Sequence, residues 1–197
     1  MMLNRIRIYS AFWIVTIFYF IIPIIRSSID CPPWVYYFDQ FIPFMGWMII
    51  PYYSYYIMFI IPPFIIKNHK RLSLLTSLLI KISLFCYFIF LVWPISSGFI
   101  LRQVEDNGFS FLHSFITFDF LYQNAFPSMH VAVSVVIGYV LADEYPKKRL
   151  IFYLWAFGIF LGTFLIKQHY LLDSLSGLFV AILACYIYRK SFYPSTI

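Results

Sequence analysis

Two short polar segments carry the side chains best suited to chemistry. Residues 124–130 read Asn-Ala-Phe-Pro-Ser-Met-His and join a polar loop to an apolar stretch. Residues 167–173 read Lys-Gln-His-Tyr-Leu-Leu-Asp and precede another apolar stretch. Each segment places one histidine, His130 or His169, at the end of a predicted membrane span. Because an imidazole can act as a nucleophile or as a general acid or base, two of them at one site could transfer a phosphoryl group.

The second segment pairs its histidine with a carboxylate. His169 and Asp173 are four residues apart at the predicted start of a helix, so they share one helix face. Asp173 could accept a hydrogen bond from Nδ1–H of His169, which would leave Nε2 free as a nucleophile or base. An interfacial His–Asp pair that merely caps the helix has the same spacing. These residues alone leave both interpretations open.

The first segment has the residues of a helix start. Asn124 or Ser128 could cap the helix, and Pro127 suits a first turn. The free N–H groups of such a turn can bind an anion. An ordinary helix start with an incidental His130 explains the segment by itself. The two segments together, on one side of a membrane, indicate a shared two-histidine site.

The composition is that of an integral membrane protein. The 197 residues are 62% apolar and 11% charged, with a mean hydropathy of +0.83, whereas soluble domains average roughly 45–50% apolar and about 25% charged residues. Membrane lipids should therefore surround the chain. The net charge of +6 lies in short clusters between apolar runs, which indicates membrane topology and not nucleic-acid binding. We expect a single domain over residues 1–197.

The apolar runs predict an all-α fold, a bundle of six transmembrane helices. The predicted spans are 8–25, about 45–61, a third from 72 or 82 to 101, and then 127–142, 150–166 and 170–188. The basic clusters near residues 5–7, 67–71, 147–149 and 189–190 fall on one side of such a bundle. The positive-inside rule makes that side cytoplasmic, together with both termini. The histidine segments then lie on the extracytoplasmic side.

The two motifs resemble those of a known family. Residues 127–130 resemble the PSxH motif, and residues 169–173 the HxxxD motif, of the type 2 phosphatidic acid phosphatase superfamily. The bulky Met129, together with the runs 124–126 and 168–170, is most similar to its inositol phosphorylceramide synthase-like branch. The resemblance is specific between about Asp119 and Gly177.

The resemblance implies a six-helix bundle and a mechanism that needs no metal and no cofactor. It implies a phosphohistidine intermediate, with His169 as the nucleophile, Asp173 as its orienting carboxylate and His130 as the general acid. The expected activity is that of a lipid phosphate phosphatase. If a second alcohol replaces water, the enzyme is a lipid phosphotransferase. A non-catalytic transporter or scaffold is disfavoured, because the middles of the spans carry almost no charge.

The sequence departs from the family pattern in its cations. The first motif, KxxxxxxRP, is absent, and Arg102 is the nearest candidate for its arginine. Thr163 stands where an arginine usually precedes the third-motif histidine by six residues. Without a metal, cationic side chains must neutralise the phosphate, so we expect it to bind between Arg102, Lys167 and the helix start at Ser128. Lys167 could equally be an interfacial anchor.

One further segment has helical periodicity. Apolar residues recur at helical spacing over 109–122, which predicts an amphipathic helix in the membrane interface. It could guide a headgroup toward His130, although an amphipathic connector is the simpler interpretation. His113 in this segment and His69 are expected to be solvated loop or interface histidines.

Overall fold

The computed structural model describes residues 2–98, 106–116 and 124–194, and helices dominate these ranges. An isolated parallel bridge joins Ile29 to Ile95. The α-helices are α1 (Met2–Thr16), α2 (Phe18–Ile25), α3 (Pro33–Asp39), α4 (Ile49–Ile60), α5 (Pro62–Ile65), α6 (His69–Val92), α7 (Ser110–Ser114), α8 (Met129–Glu144), α9 (Arg149–Leu165) and α10 (Leu171–Phe192). Short 3-10 turns at Gly46–Met48 and Pro146–Lys148 lead into α4 and α9. The prediction of an all-α fold is confirmed.

Within the described ranges, four helical stretches are long and apolar enough to cross a membrane. They are Met2–Ile25, His69–Val92, Pro146–Leu165 and Leu171–Phe192, which correspond to the predicted first, third, fifth and sixth spans. The chain is therefore a multi-pass membrane protein. The third of the six predicted spans starts at the earlier of its two alternatives, because the side chain of Asn68 accepts a hydrogen bond from the Arg71 N–H and caps α6.

The other two predicted spans are interrupted or short. The second is divided into α4 and α5 at Ile61, which two prolines follow. Proline has no N–H to donate and cannot continue a helical hydrogen-bond ladder. The fourth predicted span forms α8, which has 16 residues.

Helix α8 lies at the centre of the structure. It packs against α4, α6, α9 and α10, and most of its residues are buried, including the small residues Ala132, Ser134 and Gly138. An α-helix enclosed on several sides is apolar around its whole circumference. The histidine that begins α8 is therefore held by the most tightly enclosed helix of the described chain.

The two ends of α8 differ in chemistry. At its C-terminal end, the guanidinium of Arg71 lies 3.0 Å from Asp143 and 2.6 Å from Glu144, and the hydroxyls of Tyr188 and Tyr193 donate to Asp143. At 1.5 Å per residue, His130 is about 21 Å from this ionic cluster. One end of α8 thus carries the ion pairs, and the other end carries the histidine.

Candidate functional site

The two predicted site histidines lie side by side. His130 is the second residue of α8, and His169 lies in the turn between α9 and α10. Nε2 of His169 is 3.4 Å from Nδ1 of His130, and the ring centroids are 5.6 Å apart. Residues 39 positions apart in the sequence are therefore neighbours in the structure.

The turn that carries His169 is held by backbone contacts. Lys167 has a φ of 62°, a left-handed conformation in which a chain commonly leaves a helix. The His169 N–H donates to the carbonyl of Thr163 at 3.0 Å, directly beneath the turn. These contacts direct the His169 side chain toward the start of α8.

The start of α8 is fixed against α10. The Ser128 N–H donates to the carbonyl of Asp173 at 3.0 Å, and the Ser128 hydroxyl caps α8 by accepting from the Val131 N–H at 3.5 Å. A Cβ added at Gly177 would collide with the Ser128 carbonyl, so only glycine permits this approach. Ser128 is fully buried, and its observed role is that of a helix cap.

His169 donates its hydrogen bond to an unexpected partner. Its Nδ1 lies 2.9 Å from the carbonyl oxygen of Ala125 but 3.6 Å from Oδ2 of Asp173. Asp173 Oδ2 instead accepts from the Tyr170 N–H at 2.9 Å, because this carboxylate caps the start of α10. The predicted hydrogen bond from His169 to Asp173 is therefore replaced by one to Ala125. Asp173 remains close enough to interact with the ring as a charge.

This geometry sets the tautomer of His169. A carbonyl oxygen only accepts hydrogen bonds, so Nδ1 of His169 must carry the hydrogen. Nε2 then presents its lone pair to His130. The sequence could not point to Ala125, because any residue type supplies a backbone carbonyl.

The hydroxyl of Tyr52 completes the contacts of the pair. It lies 3.2 Å from Nε2 of His130, and the two rings are in contact. Tyr52 is one of four tyrosines among residues 52–56 of α4. Sequence patterning could not distinguish it from its neighbours, because only the packing of α4 against α8 decides which hydroxyl reaches the histidine.

The structure describes one of the two predicted phosphate-binding cations, Lys167. The ammonium of Lys167 is buried and has three partners: Asp39 Oδ2 at 2.7 Å, the Asp39 carbonyl at 2.9 Å and the Ile42 carbonyl at 2.8 Å. Burial raises the pKa of the Asp39 carboxyl, and the Lys167 ammonium opposes that shift. All three N–H donors of Lys167 are thus engaged, which favours an anchoring role. Arg102 lies outside the described residues.

A cavity of about 410 Å³ adjoins the two histidines. Its wall is largely aromatic, with Tyr19 and Phe20 of α2 facing Tyr52 and Tyr56 of α4. Phe20 and Tyr56 are 52% and 44% exposed, so the cavity opens at the surface between these helices.

Two polar side chains of the same cavity have atoms without a partner. Oδ1 of Asn124 and Nε2 of Gln168 are buried and make no hydrogen bond in the part of the chain that the structure describes. The Asn124 amide orientation is set by its Nδ2, which donates to the Tyr19 carbonyl at 2.7 Å. One acceptor and one donor thus lack a partner among the described residues, and both belong to side chains that line the cavity.

The predicted amphipathic segment is helical only in part. Helix α7 covers Ser110–Ser114, and residues 117–123 lie outside the described ranges. Phe111 and Phe115 are exposed, as an interfacial helix requires. His113 is buried, with Nε2 at 3.3 Å from the Gly46 carbonyl, so the expectation of a solvated histidine is wrong. Burial lowers the pKa of this imidazole.

Comparison with known proteins gives a family match. The model of the family described as the PAP2 superfamily matches residues 25–187. This range includes both histidine segments and most of the helices. No curated protein and no solved structure matches the chain.

Proposed function

Because the chain belongs to the PAP2 superfamily, the type 2 phosphatidic acid phosphatases, and is thus a phosphatase-type enzyme, we propose that it hydrolyses lipid phosphate esters through a phosphohistidine intermediate. The observation that carries this proposal is the contact of 3.4 Å between Nε2 of His169 and Nδ1 of His130. A lone pair on one imidazole faces the second imidazole, and this is the arrangement that a nucleophile and a general acid require.

The reaction has two balanced steps. In the first, the lone pair of His169 Nε2 forms a bond to phosphorus, the bond from phosphorus to the leaving oxygen breaks, and His130 gives its Nδ1 proton to that oxygen. In the second, water attacks phosphorus and the N–P bond breaks. His130 Nδ1 takes the proton of the water, which restores the enzyme.

Substrate binding must separate the two rings. Attack needs roughly 3 Å between nitrogen and phosphorus, and proton transfer needs about 3 Å between His130 and the leaving oxygen. Together these distances exceed the 3.4 Å between the two nitrogens. The phosphate group therefore enters between the imidazoles from the adjoining cavity.

The aromatic cavity supports a lipid substrate. Its lining is mainly apolar, and its opening lies between α2 and α4. An alkyl chain in this cavity would place its phosphate beside His130 and His169. A small polar phosphate ester would leave the aromatic wall without a partner, which is why we favour a lipid.

The phosphate charge requires donors near the histidines. The buried, unpartnered Nε2 of Gln168 is one candidate that the sequence did not indicate. The first N–H groups of α8, next to Ser128, are a second, and Arg102 remains the predicted cation. Lys167 supports the site through Asp39. Thr163 stands where the family usually has an arginine. It is buried, and its hydroxyl is hydrogen-bonded to the Ser174 hydroxyl at 2.8 Å.

Transfer to an alcohol is the alternative reaction. It is favoured by Asn124, a side chain of the cavity wall whose buried Oδ1 has no partner among the described residues and would have to turn toward an incoming hydroxyl to take its hydrogen. This is the activity of an inositol phosphorylceramide synthase-like enzyme. An assay that supplies a lipid phosphate with and without an acceptor alcohol separates the two, since only transfer yields a new phosphoester.

We further propose that α4–α5 and α8 complete a six-span bundle with both termini in the cytoplasm. The basic clusters support this orientation through the positive-inside rule. The histidine pair then faces the extracytoplasmic side, whether periplasm or lumen.

The decisive experiment traps the intermediate. Purified protein is mixed with a radioactive lipid phosphate, quenched within milliseconds and tested for an acid-labile, base-stable label. We expect wild-type protein to be labelled and His169→Ala to be unlabelled but folded. His130→Ala should still be labelled by a substrate with a good leaving group, since such a group needs little protonation. Phosphate release should persist in a strong chelator.

Several results would reject this proposal. Label that persists in His169→Ala would remove the nucleophile assignment. Activity that disappears with the chelator would remove the metal-independent mechanism. Wild-type protein that releases no phosphate from any lipid phosphate in a broad panel, and transfers none to an alcohol, would remove the enzymatic function itself.

A further inference from the structure

The hydrogen bonds around the histidine pair run in one direction. The Ala125 carbonyl fixes Nδ1–H on His169, so Nε2 of His169 must accept. For neutral imidazoles, Nδ1 of His130 then carries the hydrogen that His169 accepts. Nε2 of His130 is left with a lone pair, and the Tyr52 hydroxyl must donate to it. A single carbonyl thus sets both tautomers and the direction of the Tyr52 hydroxyl.

We propose that Tyr52 is a positioning residue for the proposed phosphoryl transfer and keeps His130 competent both to give and to take a proton. This inference rests on the proposed function of the histidine pair. Tyr52 touches His130 and acts through it. Its hydroxyl is a donor as well as an acceptor, a property that the Ala125 carbonyl lacks.

The reaction needs this double capacity. His130 first takes one proton from solvent at Nε2. It is then a cation ready to give its Nδ1 proton to the leaving oxygen, its Nε2 carries a hydrogen, and Tyr52 must accept. After that transfer, Nδ1 has a lone pair that takes the proton of the attacking water. When the Nε2 proton of His130 then returns to solvent, the neutral Nδ1–H tautomer is restored and Tyr52 must donate again. Rotation of one hydroxyl hydrogen serves every stage.

Tyr52 is held where this role requires it. The residue is 3% exposed, and its backbone packs against α9 at Gly162. A Cβ added at Gly162 would lie 3.2 Å from the Tyr52 N and 3.1 Å from the Met48 carbonyl. The ring of Tyr52 lies against His130 with centroids 5.1 Å apart. Loss of the hydroxyl would thus leave the ring packing and remove only the hydrogen bond.

The experiment compares Tyr52→Phe with Tyr53→Phe on two substrates. Tyr53 is a matched control, because its hydroxyl also makes one hydrogen bond, to the Leu112 carbonyl at 2.7 Å, away from the histidines. One substrate is a lipid phosphate with an alkyl alcohol as leaving group, and the other is an aryl ester with a good leaving group. We expect Tyr52→Phe to lower kcat on the alkyl ester by about 10- to 100-fold. On the aryl ester the rate of phosphoenzyme formation, measured in a single turnover, should change less than about threefold, since little protonation of the leaving group is needed.

A merely structural role predicts a different pattern. Equal losses in the rate of phosphoenzyme formation on both substrates, a loss confined to KM, or equal effects of Tyr52→Phe and Tyr53→Phe would each overturn the proposal. Wild-type protein inactive on both esters would overturn the proposed function and this inference with it. Wild-type activity with no effect of Tyr52→Phe on the alkyl ester would overturn this inference alone.

A spectroscopic measurement keeps the proposal testable if Tyr52→Phe is too unstable to assay. Histidine ¹⁵N chemical shifts distinguish the two tautomers of a neutral ring. In wild-type protein, both His130 and His169 should be Nδ1–H tautomers. The signals are assigned with variants that each lack one histidine, including His113→Gln and His69→Gln. A wild-type His130 found as the Nε2–H tautomer in the resting neutral site would contradict the direction of the hydrogen bonds and overturn the proposal.

Discussion

Attack on phosphorus would turn the neutral His169 ring into a cation, and Asp173 is the carboxylate placed to offset that charge. Its Oδ2 lies 3.6 Å from Nδ1 of His169, too far for a hydrogen bond but near enough for a strong interaction between buried charges. The Ala125 carbonyl sets the ring orientation, and in the proposed mechanism Asp173 would supply the compensating charge. The two functions of an orienting carboxylate are thus divided between two groups.

Asp173→Asn should therefore keep the fold and lose rate. The Asn side-chain oxygen can still accept from the Tyr170 N–H, so the start of α10 stays capped. Without the negative charge, we expect kcat to fall on the order of 100-fold or more while KM changes by only a few-fold. Steady-state kinetics on a lipid phosphate provide the measurement.

Asp30→Asn is the matched control, because Asp30 is an exposed carboxylate that lies outside both histidine segments of the sequence. Its kinetics should equal those of the wild type. Asp173→Asn with a kcat within threefold of the wild type would show that the charge is dispensable.

Among the individual groups of the site, the sequence pointed to side chains but not to main-chain groups such as the Ala125 carbonyl. His130, His169 and Asp173 were predictable because imidazoles and carboxylates are rare in an apolar chain and recur here at informative spacing. Tyr52 was not predictable, since tyrosine is common in this sequence and the choice among its copies depends on the rotation of α4. Gln168 was not predictable as a candidate phosphate donor, because nothing in its residue type separates an amide without a hydrogen-bond partner from one that has a partner.

The elements that hold the site meet at close range, and Gly177 is where α10 touches the start of α8. Gly177→Ala would place a methyl group against the Ser128 carbonyl, and backbone cannot move aside as a side chain can. We expect a loss of stability of about 1–3 kcal/mol and a larger loss of activity, because the shift displaces His130 from His169. Thermal unfolding in detergent and phosphate release measure the two effects.

Gly108→Ala provides the comparison for this substitution. A Cβ at Gly108 would meet no atom within 4 Å, so stability and activity should both stay at wild-type values. An active Gly177→Ala protein with an unchanged melting temperature would mean that α8 and α10 are not fixed to one another at this point.

Element boundaries followed the sequence where capping residues and prolines marked them. Asn68 marks the start of α6, and the prolines after Ile61 mark the division of the second predicted span. The left-handed turn at Lys167 carried no such signal, because glycine or asparagine normally occupies that conformation. The side chain of Lys167, with its three partners at Asp39 and Ile42, compensates for this backbone cost.

For the whole molecule, the proposed orientation gives opposite chemical access to the two ends of the bundle. In a background without native cysteines, we expect a membrane-impermeant thiol reagent applied to intact cells to label Asp30→Cys and Asp106→Cys. Lys70→Cys and Lys148→Cys should react only after the membrane is permeabilised. All four positions are exposed, so side-chain burial does not bias the comparison. The reverse pattern would move the histidine pair to the cytoplasmic side.

Hydropathy predicted the surroundings of the chain better than it predicted the role of each helix. The four long stretches are apolar because lipid covers part of their surface. Helix α8 is apolar for another reason: protein encloses it, so packing selects its small and β-branched residues. One-dimensional patterns cannot separate these two causes, and the central position of α8 emerged only from the assembled bundle.

If the proposed lipid substrate enters the aromatic cavity between Phe20 and Tyr56, the position of this entrance would determine which substrate concentration governs the rate. An entrance on the flank of a multi-pass protein receives substrate that diffuses within the plane of the bilayer, so encounters occur in two dimensions. The rate should then follow the mole fraction of substrate among the membrane lipids. Diluting vesicles of fixed composition with buffer would leave the turnover of each enzyme unchanged, whereas diluting the substrate with inert lipid would slow it.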